Sequence, residues 1–252
     1  VHAISHFKNS AEGNIGFAPL STFISRYNGR PDLAIENPEQ ALQQVASVYL
    51  SDAFSWMGHI AATTQQEQQW CKEAVVMGDL LPSGHIRAST RARLARSGVE
   101  KTPYEQTLQT KIESVQREPV HCATLQADRY LGDPEPKQIR IVVICWDGFG
   151  RPLQSKQKVG QGTALAVKED GTLAWANGKP QEHEVNVRWR VSERTEYNKG
   201  LVTRTYRPYF GDRHRYIKDQ SLRTSGLCDR YIYDPMGRHI RTINANGDER
   251  RH

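Results

Sequence analysis

The sequence predicts a mainly β protein of stacked β-hairpins with an N-terminal helical segment, α+β overall. Three observations carry this. The apolar period changes from helical to alternating near residue 118. Two segments, Trp146-Asp147-Gly148-Phe149-Gly150-Arg151 and Tyr233-Asp234-Pro235-Met236-Gly237-Arg238, follow one rule: aromatic, Asp, two residues, Gly, Arg. Hydrophobic residues are only 37% of the 252 residues, which suits a wetted sheet with a thin core. The repeated segment is read as a turn. Its Asp can accept hydrogen bonds from the backbone two residues on, and its Gly tolerates the left-handed conformation that ends the turn. Trp146, Asp147, Gly150 and Arg151, with Tyr233, Asp234, Gly237 and Arg238, are therefore the predicted structural repeat turns.

Three stretches divide the chain: 1–36, irregular; 37–118, mainly helical; 119–252, β-hairpins. Asn37-Pro38-Glu39-Gln40 reads as a helix start. Ala41, Leu42, Val45, Ala46 and Val48-Tyr49 extend that helix to about Leu50. Further helices are expected over Thr64–Met77, Ile86–Arg96 and Pro103–Arg117. The last has Thr102 as its cap and an apolar stripe of Tyr104, Leu108, Ile112 and Val115. Strands follow over 120–126 and 138–146, the second apolar enough to be buried on both faces. Next come 153–159, then 164–168 and 172–176 around Glu169-Asp170-Gly171. Alternation continues over 185–197 and 201–209 around Asn198-Lys199-Gly200, then 213–218, 230–233 and 239–243. Asn246-Gly247 closes a last turn.

Formal net charge is +6 and mean hydropathy −0.68. Apart from Arg87–Arg96 and Arg250-Arg251 the arginines are spread out, without a nucleic-acid motif. Cys71, Cys122, Cys145 and Cys228 form no CxxC pair, against a zinc site or a dense disulfide framework. No apolar run is long enough for a membrane helix, and no signal sequence opens the chain. It starts with Val and stops directly after a repeat, so a piece of something longer is expected.

Gly226-Leu227-Cys228-Asp229-Arg230-Tyr231-Ile232-Tyr233-Asp234-Pro235-Met236-Gly237-Arg238-His239-Ile240 resembles an Rhs/YD repeat. Leu125–Tyr130, Trp146–Ser155, Trp189–Asn198 and Gly200–Phe210 follow in an order similar to the B component of bacterial insecticidal toxin complexes (Tc toxins) and their SpvB-type relatives. Phe54–Gly58 and Leu81–Arg87 also resemble that family. The resemblance runs from about 37 to 252. It implies a non-enzymatic segment of a curved, hairpin-built shell, the Rhs cocoon, that encloses a cytotoxic polypeptide. The implied partners are the rest of the shell protein, the C component carrying the toxin and the pore-forming A component. Neither nucleic acid nor direct membrane insertion is implied, and the complex would be secreted. No β-propeller, C-component cleavage aspartates or toxin domain is visible. Asp234-Pro235-Met236-Gly237 resembles one cleavage-site element, but without a second it reads as a repeat turn.

No P-loop, Gly-x-Ser-x-Gly or His-Glu-x-x-His occurs, so no catalytic, cofactor or metal residue is nominated. Asp147, Asp170, Asp234 and Asp248 sit beside turn glycines or prolines. Glu182-His183-Glu184 reads as surface loop. Trp146, Trp175 and Trp189 read as cross-hairpin packing. The alternative is a stand-alone β-rich module that grips carbohydrate or unfolded peptide with exposed aromatics such as Trp189 and Tyr206.

Overall fold

A computed structural model describes residues 4–5, 26–27, 30–43, 45–96, 98, 100–129, 138–225 and 227–252. Most of the 1–36 stretch, with Tyr130 and Gly226 of the family motifs, lies outside them. Sheets dominate and helices gather toward the N-terminus.

Strand β1 (Ile4–Ser5) precedes two short helices, α1 (Pro31–Glu36) and α2 (Pro38–Leu42), each opened by proline. The expected helix to Leu50 stops here. Gln43 takes φ +51, and Ser47–Asp52 forms strand β2. Its Val48, Leu50 and Asp52 are buried while Tyr49 is exposed. An apolar set spaced for a helix also fits alternation once the helix is broken, and the sheet takes it. A 3₁₀ turn (Ser55–Met57) leads to α3 (Gln65–Val76), α4 (Ala88–Leu94) and α5 (Pro103–Ser114). Thr64 and Thr102 close capping boxes with Glu67 and Glu105, satisfying backbone donors that the first turn leaves free. Leu108 and Ile112 bury the predicted stripe in a core with Ile60, Ala74, Leu80, Ile86 and Leu94. At full burial each large aliphatic side chain contributes about 2 kcal/mol.

Eleven of the remaining strands follow in order: β3 (Val120–Ala127), β4 (Ile139–Trp146), β5 (Pro152–Val159), β6 (Gly162–Leu165), β7 (Trp175–Ala176), β8 (Lys179–Pro180), β9 (Glu182–Val185), β10 (Arg188–Ser192), β11 (Thr195–Asn198), β12 (Leu201–Tyr206) and β13 (Tyr209–Gly211). Helix α6 (Leu222–Ser225) precedes β14 (Cys228–Tyr233), β15 (His239–Ile243) and β16 (Glu249–Arg251). A nine-stranded sheet has the order β1-β2-β3-β4-β5-β10-β13-β6-β9, a second is β11-β12-β14-β15-β16, and β7 pairs with β8. Neither large sheet closes or curls. The first is not a simple row of hairpins, because β13 pairs with β6 in parallel. The helices α1 and α2 pack on β2 and β3, over a core that includes Leu42, Leu50, Leu125 and Ile141. A second core of Val167, Leu173, Val191, Tyr206, Ile217 and Cys228 joins the two large sheets.

Other expectations need correcting. Strand β4 buries Ile141, Val143 and Cys145 but only half-covers Val142 and Ile144, so it has one dry face. The run 185–197 is broken at Glu193, at φ +56, where the chain leaves the first sheet for the second. Glu182-His183-Glu184 lies in strand β9, not a loop, and His183 Nε2 sits 3.1 Å from Asp212 Oδ2. Residues 213–218 form no strand. That segment crosses the buried face of β5, and side chains replace the ladder. Gln154 Nε2 donates to the Ile217 carbonyl (2.5 Å) while Ile217 N–H donates to Gln154 Oε1 (3.2 Å). Lys156 Nζ donates to the carbonyls of Arg213 (3.2 Å) and Arg215. Arg194 Nη2 donates to the Asp219 carbonyl. Buried backbone groups need such partners.

Candidate functional site

The two predicted turns are built alike. In the first, Phe149 N–H (2.8 Å) and Arg151 N–H (3.0 Å) donate to Asp147 Oδ1, and Arg151 Nε donates to Asp147 Oδ2 (2.7 Å). In the second, Met236 N–H and Arg238 N–H donate to Asp234 Oδ1 (2.9 Å each), and Arg238 Nε to Asp234 Oδ2 (2.7 Å). Gly150 N–H returns to the Asp147 carbonyl, and Gly237 N–H to that of Asp234. Both glycines have positive φ, +76 and +81. A Cβ on Gly150 would meet nothing within 4 Å, so the backbone angle, not space, calls for glycine.

The likeness extends past the turn. Trp146 faces Pro152 and Cys145 faces Gln154, leaving Leu153 as the extra residue. Tyr233 faces His239 and Ile232 faces Arg241, leaving Ile240. A bulge thus sits at the same offset in both hairpins. Burial works against ionised Asp147, yet the Arg151 N–H and guanidinium and the Phe149 N–H hold its carboxyl below the ordinary range. At Asp234 the Arg238 N–H, then its guanidinium, do the same. The first turn also reaches the second sheet. The Arg151 guanidinium lies 4.3 Å from the Tyr197 ring centre, and Tyr197 Oη donates to the Pro152 carbonyl. Tyr233 Oη donates to the Val202 carbonyl.

The same pair of backbone bonds, first N–H to fifth carbonyl and fourth N–H to first carbonyl, closes three further turns. These are Leu81–His85, Lys168–Thr172 and Asn244–Asp248, each with glycine fourth. They lack the aspartate at the first position, where Leu81, Lys168 and Asn244 stand. In the first, His85 is fully buried. Ser83 Oγ lies 2.9 Å from its Nδ1 and Asp52 Oδ2 3.0 Å from its Nε2. The Gly84 N–H beside Ser83 is spent on the Leu81 carbonyl, so this chain of bonds ties the turn to β2.

A groove of about 1020 Å³ opens beside the first turn, lined by Trp56, Pro119, Val120, Trp146, Leu153 and others. Trp189 and Tyr206, named above as exposed grips, are each 4% exposed and belong to the cores. Within Arg87–Arg96, Arg91 donates to the Met57 carbonyl and Arg93 pairs with Asp79 and Glu105.

No family model and no curated protein matches the chain. Solved structures do. TcdB2-TccC3-Cdc42 is 34% identical at TM-score 0.68, over 82% of this chain and 10% of that chain. TcdB2-TccC3 without its hypervariable C-terminal region is 33% identical at 0.65, over 82% and 9%. A Photorhabdus luminescens Tc holotoxin pore is 30% identical at 0.65, over 99% and 11%. The chain therefore spans about a tenth of the length of the solved chains it matches. Over most of its length it is similar to one segment of TcdB2-TccC3, the B and C components of Tc insecticidal toxin complexes.

Proposed function

We propose that the chain is a non-enzymatic wall segment of a Tc-type shell, the Rhs cocoon, that encapsulates a cytotoxic polypeptide. The observation that carries the reading is the equivalence of the Asp147 and Asp234 hairpins, bonds and bulge alike, in a chain similar to part of a B/C shell. Trp146, Asp147, Gly150, Arg151, Tyr233, Asp234, Gly237 and Arg238 act as structural repeat turns within the hairpin region, 119–252. The row β14-β15-β16 is three strands joined by two such turns, and this connection can be repeated to extend a wall. The partners are the remainder of the shell, a toxin-bearing C component and a pore-forming A component, in a secreted complex.

A second reading, a free-standing binding module for carbohydrate or unfolded peptide, is favoured by the groove beside Trp56 and Trp146. The two readings differ in the mass of the native product. An antibody to residues 119–252, used on the producing cells, is expected to find a species far above 28.6 kDa. A single band at that mass would sink the wall reading in favour of the binding module.

A further inference from the structure

The five-stranded sheet carries arginines in register on one face. Residues directly opposite in a ladder share a face, as do alternate residues along a strand. Arg204 stands opposite Arg230, and Arg241 opposite Arg251. Arg230 faces Ile243, and Ile232 faces Arg241. All four arginines therefore project from the same side, together with Ile232 and Ile243. Arg223 of α6 reaches that side through Glu196, which also holds Arg204 (2.8 and 3.3 Å). At the other end Glu249 is shared by Arg241 and Arg251 (3.2 and 3.4 Å). Five arginines thus face two carboxylates. Between the two shared carboxylates stands Arg230, exposed and, among the described residues, paired with none.

Like charges directly opposite each other weaken a sheet, and this face has two such pairs, 204/230 and 241/251. A side chain on the opposite face does not share the arrangement: Arg207 is matched by Asp229 (3.1 Å). The uncompensated charge calls for anionic groups from outside. The open part of the face offers aliphatic Ile232 and Ile243 between its arginines. Its tyrosine, Tyr206, two residues from Arg204, is buried in the core with its hydroxyl donating to Glu196, so its ring is not open for stacking. Sequence-tolerant binding of single-stranded nucleic acid uses interleaved aromatics for base stacking. An extended peptide presents alternate side chains on one side about 7 Å apart, the spacing of the two arginine rows.

We infer that this face of the β11-β12-β14-β15-β16 sheet docks an acidic, aliphatic-rich polypeptide segment of a partner protein, with a carboxylate seated on Arg230 between Arg204 and Arg241. The inference does not rest on the shell reading, and the mass of the native product has no bearing on it.

The test is fluorescence anisotropy on the 252-residue chain, with a labelled peptide of alternating Glu and Val as probe and oligothymidylate of equal length as competitor. The peptide is expected to bind, more weakly as salt rises. Arg230→Gln, an exposed substitution, should weaken it about tenfold, the order of one charge-assisted bond. Arg207→Gln, on the other face, should leave it unchanged, and circular dichroism of both variants should match the parent. Absence of peptide binding, equal loss in both variants, or displacement by oligothymidylate at or below the concentration of unlabelled peptide would each overturn the inference.

Discussion

Gln154→Leu is expected to lower the unfolding free energy by about 3 kcal/mol. The side chain is fully buried and holds both the N–H and the carbonyl of Ile217. Leucine fills a similar volume but bonds neither group. Each buried backbone group left without a partner costs roughly 1–3 kcal/mol, so the loss falls on the crossing segment rather than on the sheet itself. Urea unfolding measures the total, and amide exchange at Ile217 locates it. A variant within about 0.5 kcal/mol of the parent, the range of an unremarkable surface change, would show that the 213–219 segment is held by something else.

Lys156 gives the second large effect, through pH. Its ammonium is fully buried, and burial, above all, lowers its pKa from 10.5 to about 8. The unfolded chain therefore holds more protons than the folded one between about pH 8 and 10.5, and stability from this group rises with pH across that window. The charged form is disfavoured in the fold below it. Other groups titrate nearby, notably the Cys145 thiol, which burial pushes up to about 12, so the measurement is a difference. Compared with Lys156→Met, the parent should gain on the order of 3 kcal/mol between pH 7 and 10.5. Parallel curves for the two proteins would mean that the lysine is solvated or already neutral.

These two residues also show what the sequence could and could not reveal. In the strand 152–159 alternation sets Gln154 and Lys156 apart from Leu153, Ser155 and Gln157. A binary reading turns the polar pair to water. The fold does the reverse, because the face they occupy meets not a hydrophobic layer but the bare backbone of 213–219. Only knowledge of that non-local crossing explains a buried lysine. The expected strand at 213–218 failed for the same reason: its alternation is present, but its bonds are taken by side chains. The helix expected to Leu50 failed because residues 41–49 satisfy both periods and β3 was available to pair with Ser47–Asp52.

Local signals were far more legible. Thr64 and Thr102 with their glutamates define helix starts by contacts only three residues long. The Asp-x-x-Gly-Arg turns are likewise complete within five residues, so their bonds could be anticipated from the residue types. The turn at Leu80–Gly84 could be read from its Pro-Ser-Gly run, but neither its likeness to the aspartate turns nor the bulge after each of those was anticipated. A bulge depends on the partner strand, and Leu81 stands where the turns at 147 and 234 carry their aspartate. The groove beside Trp146 was invisible for the same reason, since Trp56 and Tyr216 are brought to it by the fold.

The wall reading is tested most directly by exchange. The segment of TcdB2-TccC3 that matches this chain is replaced by residues 37–252, and the chimera is isolated as an intact particle by size exclusion. Protease is then added, and the enclosed toxin polypeptide is followed by mass spectrometry. The account predicts that the cargo survives as it does in the unaltered particle. Digestion of the cargo inside a particle of unchanged size would contradict it, because the segment would then fold without completing the wall.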